Sequence, residues 1–391
     1  MYYAVLTGAA DSSGAEGQLL LGANAPAVRV AGRADPRHRA GEPARSATRS
    51  RLARIRADRA DRRRFEDAVA MRGGELVASA QPTQQVLDTR AESTALAVYA
   101  QDRAAWGRVE VVAGARVEAV STRLADRLGE TVVDDGYAVV IPGGGVQVAL
   151  TPTLAALAGV HRGFSPVAPG SAATPESSVN YEAGLRWRGA RLAVDAIGFF
   201  SDYANLKGTC TFSTGCSAGQ EGDEFDGGAV YVWGAELQAA LELPLPRVRG
   251  VDATMPIELA YTYTGSSFRR AFASEFAGWD DVEVGDELPY LPAHQAMLSA
   301  AVVTARTDVG LAARYRSGSR DVAGAGPPPD DEAVEAWLAF DASVHVRPTA
   351  WAELYATASN LLDTRSLASR RPFGARPTAP RQLVVGYKGR F

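Results

Sequence analysis

Residues 178–188, SVNYEAGLRWR, place Val179, Tyr181, Ala183, Leu185 and Trp187 on one parity and Asn180, Glu182, Arg186 and Arg188 on the other. Successive side chains of a strand point to opposite faces, so this stretch is greasy on one side of a sheet and charged on the other. The same period of two runs through RVEVVAGARVE (108–118), VYVWGAELQAALE (230–242) and PIELAYTYT (256–264). It constrains the chain more than any other feature, because a helix would need a period near 3.6. Thirteen strands are predicted, at 94–102, 108–118, 139–150, 154–163, 178–188, 191–203, 230–242, 256–264, 293–303, 308–316, 335–346, 351–359 and 382–391.

The connections between these strands alternate in length. Short ones fall at 103–107, 151–153, 189–190, 243–253, 304–307 and 347–350, and long ones at 119–138, 164–177, 204–229, 265–292, 317–334 and 360–381. A sandwich has no reason to keep such a rhythm, whereas a membrane barrel has short turns on one side and long loops on the other. Tyr181, Trp187, Tyr231, Trp233, Tyr261, Tyr263, Tyr315 and Phe340 all lie on the apolar face, as interfacial girdles require. The expected fold class is therefore all-β, an antiparallel transmembrane β-barrel in contact with the lipid bilayer. Hydrophobic residues make up 46% and charged ones 22%. That is too polar for a bundle of membrane helices, and no apolar run approaches the length of a membrane-spanning helix.

Charge divides the chain in two. Residues 1–91 hold 15 Arg and no Lys against 10 acidic residues, although the whole chain carries a net charge of −4. Residues 1–91 are expected to be a poorly defined arginine-rich segment, with one hairpin from MYYAVLTG (1–8) and GQLLLGA (17–23), and residues 92–391 the barrel. The stretch 24–64 holds 13 arginines. It reads either as a basic arm or, more simply, as a segment that does not fold, since it lacks the interleaved aromatics of a nucleic-acid surface. No nucleic-acid partner is expected from the overall acidic balance. The opening MYYAVLTGAADSSG lacks the basic start and apolar core of a signal peptide, so the export signal is expected to be missing.

Cys210 and Cys216 are the two cysteines and sit in GTCTFSTGCSAG. A close pair among turn-forming residues suits a disulfide in an oxidising compartment, the alternative being two unpaired thiols. His38, His161, His294 and His345 show no metal spacing, and IPGGGVQ (141–147) opens a strand rather than a helix, so no enzyme, metal site or cofactor is expected. The acidic stretches EGDEFDGG (221–228) and GWDDVEVGDE (278–287) read as solvated loop tips rather than calcium loops. His161 and Arg162, near the end of a strand, are candidate contacts for an anionic ligand.

LAGVHRGFSP (157–166), SVNYEAGLRWRG (178–189), AIGFFSDYANLKGTC (196–210) and ELYATASNLLDTR (353–365) resemble the barrel of TonB-dependent outer-membrane receptors, most closely the ferric dicitrate type. The resemblance covers roughly residues 92–391 and implies a cell outer membrane location. Its further implications are a ferric siderophore or ferric citrate-type ligand, the TonB complex as partner of the full-length receptor, and a barrel of 22 strands preceded by a plug. Against that pattern, thirteen to sixteen strands with no plug segment lead to the expectation that the chain is the C-terminal part of such a receptor. Tyr387 and Phe391 match the family's terminal signal for insertion by the outer-membrane assembly machinery. A passive pore or a non-functional remnant is the rival expectation.

Overall fold

The computed structural model describes residues 45–46, 49–66, 69–72, 75–78, 84–210, 223–274, 278–370 and 374–389, those before 88 by backbone alone. Fourteen long strands follow one another: β1 (Arg49–Glu66), β2 (Gln84–Trp106), β3 (Val109–Asp126), β4 (Thr131–Ala149), β5 (Leu154–Ser165), β6 (Glu176–Arg188) and β7 (Leu192–Asn205). They continue as β8 (Val230–Pro244), β9 (Ala253–Phe268), β10 (His294–Thr304), β11 (Thr307–Arg316), β12 (Trp337–Thr349), β13 (Ala352–Ser359) and β14 (Gln382–Gly389). With the two-residue strand Arg45–Ser46, which also pairs with β2, they make a 15-stranded sheet in sequence order. Every ladder is antiparallel. Among the described residues, no pairing joins β1 to β14. Among the described residues no helix is long and apolar enough to cross a membrane.

All thirteen strands expected from the alternation are present, as β2 to β14. Local chemistry builds the tight turns. Gly107 takes a positive φ of 57° between β2 and β3, a region that costs other residues a clash at Cβ. Between β4 and β5 the Thr151 hydroxyl accepts from the Leu154 amide at 2.9 Å, and between β10 and β11 Thr304 accepts from Thr307 at 2.9 Å. A hydroxyl that closes a turn this way replaces a backbone acceptor and fixes the register of both strands.

Two expectations are corrected. The long loop at 119–138 is a hairpin: β3 runs to Asp126, β4 starts at Thr131, and Asp126 Oδ1 accepts from the amides of Leu128 and Gly129 at 2.9 and 3.2 Å. Residues here carry polar groups on both faces, which erases the alternation that marks a half-buried strand. The arginine-rich stretch forms β1 over residues 49–66, paired along its length with β2. The division at residue 91 falls inside β2. The hairpin expected at 1–23 lies outside the described residues.

One face of the sheet exposes a field of large apolar side chains, among them Leu96, Val98, Val117, Val140, Val160, Leu185, Leu298, Leu311 and Leu354. A water-soluble monomer does not expose a patch on this scale. Near the loop side this face carries Tyr181, Phe200 and Tyr231, with successive ring centroids 6.3 and 5.1 Å apart, and Trp233, Tyr263 and Tyr315. Near the turn side it carries Trp106 and Trp187, with Trp351 in the turn between β12 and β13. Apolar side chains between two aromatic belts define a hydrocarbon-facing surface, so this face points outward and the other lines a lumen.

Candidate lumenal site

The lumen face is laced with ion pairs whose partners the register brings together. Arg186 and Arg188 on β6 flank Asp195 on β7 at 3.1 and 2.7 Å. Arg314 on β11 grips Asp341 on β12 with two bonds of 2.6 and 3.0 Å. Toward the turn side, Arg347 holds Asp308 bidentately at 2.7 and 2.6 Å, and Glu353 receives His345 at 3.1 Å and Lys388 at 3.2 Å. Bidentate guanidinium–carboxylate forks fix geometry as well as charge. They hold the strands of the wall at set distances.

At the loop side the lumen face is covered. Tyr203, Leu206, Cys210, Val230, Val232, Phe268, Trp279, Val282 and Leu288 form a hydrophobic cluster, with Phe268 and Val232 fully buried. Phe268, Phe272 and Trp279 meet edge to face at 5.6 to 6.5 Å, the geometry that aromatic quadrupoles favour. A Cβ on Gly227 would overlap the Trp279 ring, so glycine is what lets the loop after β7 lie against the indole. Two short ribbons, Lys207–Thr209 with Glu224–Asp226 and Phe272–Ala273 with Asp281–Val282, carry these residues in from the loops.

The acidic stretches expected as solvated tips contribute to this cap instead. Lys207 pairs with Glu224 at 3.3 Å, their side chains 7% and 9% exposed, and the Lys207 ammonium also donates to the Pro166 carbonyl. Glu224 accepts from the Ala168 amide at 2.8 Å, and Asp226 accepts from the Thr174 amide and from Asn205 at 2.9 and 3.0 Å. The loop after β7 is thereby clasped to the loop after β5. Buried charges persist only when paired and hydrogen-bonded, and these are both.

A second anchor sits where the last long loop begins. Asn360, 3% exposed, adopts a φ of 51°. Its amide donates to Asp341 Oδ1 at 2.9 Å, its side-chain nitrogen donates to the carbonyls of Thr364 and Ala379, and its side-chain oxygen accepts from the Thr364 amide. Asparagine tolerates this left-handed conformation better than other side chains. Close by, the Asp363 carboxyl is held below the usual carboxylate range, first because the Arg381 amide donates to it and then because Arg365 does.

The structure separates the residues expected to meet a ligand. His161 pairs with Asn180 on the lumen face, whereas Arg162 pairs with Val179 on the outward face and donates to the Val140 carbonyl at 3.2 Å. Neighbours in a strand cannot share a face. Cys210 is buried in the cap, 1% exposed, and Cys216 lies outside the described residues. Tyr387 is exposed on the outward face of β14, paired with Leu354, while Phe391 lies outside the described residues. Among the described residues no group of three or more His, Cys, Asp or Glu could hold a metal ion. Sequence reasoning missed Arg314, Asp341 and Asn360; the signal was a lone aspartate in the apolar run WLAFDASVHV (337–346) and the SNLLD stretch (359–363), whose likeness to the family marks the opening of the last outer loop without naming Asn360 as its anchor.

The model of the family described as TonB dependent receptor-like, beta-barrel matches residues 35–361. Among solved structures, the unliganded ferric citrate transporter FecA is similar, with 18% identity, a TM-score of 0.64, and coverage of 88% of this chain and 51% of that one. The siderophore receptor PiuA from Acinetobacter baumannii gives 15% identity, a TM-score of 0.67 and coverage of 88% and 53%. The copper transporter OprC gives 15%, 0.57, 86% and 54%. At these identities the likeness concerns the fold. The chain spans about half the length of these structures. No curated protein matches the sequence.

Proposed function

This chain belongs to the TonB-dependent receptor β-barrel family, a family of outer-membrane receptors rather than enzymes, and from that premise we propose that it forms wall and mouth of a receptor that takes up a ferric chelate, a siderophore or a ferric citrate-type complex. The observation that carries the reading is the two-faced sheet: an outward face of exposed Leu, Val and aromatic residues, and a lumen face of Arg–Asp pairs under a folded loop cap. Such a wall spans a bilayer with every inner strand paired. The similarity to a copper transporter as well as to iron receptors leaves the metal to the loops and lumen, not to the fold.

In this reading the chain sits in the outer membrane, delivered by the outer-membrane assembly machinery through the Tyr387–Phe391 end, and works with the TonB complex. Cys210 and Cys216 form a disulfide that closes the loop after β7. Its support is the burial of Cys210 in the cap beside Tyr203 and Val230. Alkylation of both thiols without prior reduction would contradict the pairing. His161, on the lumen face, remains a ligand contact in this proposal; Arg162, on the lipid face, does not.

Labelled-iron uptake, measured in cells carrying or lacking the gene at its own locus, tests the function. Uptake of at least one ferric chelate should fall on deletion and should also fall when TonB is removed. A second reading, a passive pore, draws on the sheet edges that stay unjoined among the described residues. Gene-dependent entry of unrelated solutes that persists without TonB would establish that reading and end the first.

A further inference from the structure

One row across the lumen wall near the mouth is rich in donors and poor in acceptors. Gln295 on β10, Arg316 on β11 and Trp337 on β12 are direct register partners, Gln295 with Arg316 and Arg316 with Trp337. They share the lumen parity with Arg314, one step further down, and Asp341, two steps further down. Arg314 is fully engaged with Asp341 and its guanidinium lies 5.0 Å from the centre of the Trp337 ring. Arg316 is different. Its one hydrogen bond is a long 3.5 Å contact from Nη2 to the Glu335 carbonyl, and among the described residues it has no carboxylate partner.

Two N–H donors of this row, Arg316 Nε and Trp337 Nε1, are sealed from solvent and have no acceptor, as is the neighbouring Ser319 hydroxyl. Buried donors without acceptors are rare in folded proteins, and two on directly paired residues call for an explanation. Asp341, the lumenal carboxylate further down the same strand, is already engaged by Nε and Nη2 of Arg314 and by the Asn360 amide. Gln295, beside them, is exposed to the lumen and adds a further donor.

We infer that the Gln295–Arg316–Trp337 row is a binding site for a carboxylate-bearing small anion entering the lumen from the mouth. A guanidinium presents a planar fork that matches a carboxylate with two parallel N–H bonds, and an indole can donate but never accept. An anion drawn to Arg316 therefore satisfies the orphaned Nε together with an Nη, while Trp337 Nε1 and the Gln295 amide take its remaining oxygens. Arg314, neutralised by Asp341 and stacked against the indole, holds the Trp337 ring in place. This deepens the uptake reading by naming where a carboxylate of the chelate would be gripped, but the binding itself needs no energised transport.

The full chain, folded in detergent micelles, is titrated with citrate and separately with inorganic phosphate, followed by calorimetry and tryptophan fluorescence. Citrate should bind saturably, Arg316→Gln should weaken it at least tenfold, and Trp337→Phe should remove most of the fluorescence change. Arg162→Gln, on the outward face, should leave binding as it was. Should Arg316→Gln fail to give the heat-modifiable gel migration of a folded barrel, Arg316→Lys keeps the charge, loses the fork and should still weaken binding severalfold. Absence of saturable citrate binding, binding of phosphate alone, or unchanged citrate affinity in a folded Arg316 variant would each overturn the assignment. Loss of the site with TonB-dependent iron uptake intact would leave the uptake reading standing, so the two fail separately.

Discussion

The two flanks of the sheet build the loop side of the molecule in opposite ways. β2, β3 and β4 run for 23, 18 and 19 residues, and β3 meets β4 across a turn of four, residues 127–130. β10, β11, β13 and β14 run for 11, 10, 8 and 8 and hand over to loops that fold into ribbons and anchors. At about 3.3 Å per residue, the long strands rise well above the hydrocarbon layer, which 9–11 residues already cross. On that flank the sheet itself is the rim. On the other, and over β7 to β9, the rim is a packed cap with its own core. A sheet rim is held by ladder bonds along its whole length, whereas a cap depends on a few buried side chains, so the two should respond differently to single substitutions.

The largest effect is expected at the centre of the cap. Phe268→Ala removes a fully buried ring in contact with Phe272 and Trp279, and buried Phe→Ala changes cost about 3–5 kcal/mol. Hydrogen exchange should show the amides of the two ribbons losing protection while those of β3 and β4 keep theirs. Uniform loss across both flanks would mean that the cap and the long strands form one cooperative unit, and the contrast would fall.

Next comes the clasp between loops. Lys207→Met leaves Glu224 buried without its ammonium, and breaking a buried pair on one side costs about 3 kcal/mol. The double variant Lys207→Met with Glu224→Leu should recover part of that loss, because no charge is then stranded. Limited proteolysis of the loop after β5 reports both. A double variant as sensitive as the single one would show that the clasp works through the Ala168 and Pro166 contacts rather than through the charge pair.

How much of this was legible depended on where water lies. β5 to β14 were readable to within four residues at either end, since lipid on one side and a polar lumen on the other impose alternation. The upper parts of β3 and β4 were not, because Ser121, Arg123, Asp134 and Asp135 stand where neither side is hydrocarbon. β1 was hidden by its arginines for the same reason: a period of two carries no signal when charge fills both parities. In the candidate site the faces were legible and the partners were not. Parity alone separates His161 from Arg162 and puts Arg314, Arg316 and Asp341 in the lumen. That Arg314 takes Asp341 and leaves Arg316 without a carboxylate depends on register and on Asn360 donating to the same aspartate, and no local pattern encodes either.

A sharper comparison uses two residues that adopt a φ of 51° at the loop side, one from each flank: Asn360 on the capped flank and Glu130 in the turn of the long strands. Asn360→Ala loses both the tolerance of that conformation and the bonds to Thr364 and Ala379, and should cost about 2 kcal/mol. Glu130→Gly relieves a strained backbone, with no side-chain hydrogen bond among the described residues to lose, and should stabilise its hairpin by a few tenths to about 1 kcal/mol. Denaturant melts of the folded barrel should therefore move in opposite directions for the two changes. Equal losses would mean that Glu130 is held by more than the ladder beneath it.

The smallest expected effect is a pH dependence confined to the capped flank. The Asp363 carboxyl is depressed below its ordinary value by the Arg381 amide and by Arg365, so its folded form binds a proton less readily than the unfolded chain does. A group shifted in this direction contributes stability that is fully present above the unfolded value, near 3.9 for aspartate, and that is lost as pH falls through the lower folded value. The loop between β13 and β14 should thus stay protease-resistant at neutral pH and loosen only in acid below about 4. Asp363→Asn, which cannot ionise, should abolish that acid step while leaving the hairpin at 127–130 as it was, since the Asp126 carboxylate there serves a different turn. A carboxyl resonance of Asp363 that titrates at or above the ordinary aspartate value would remove the basis for the step, and with it the last difference argued between the two flanks.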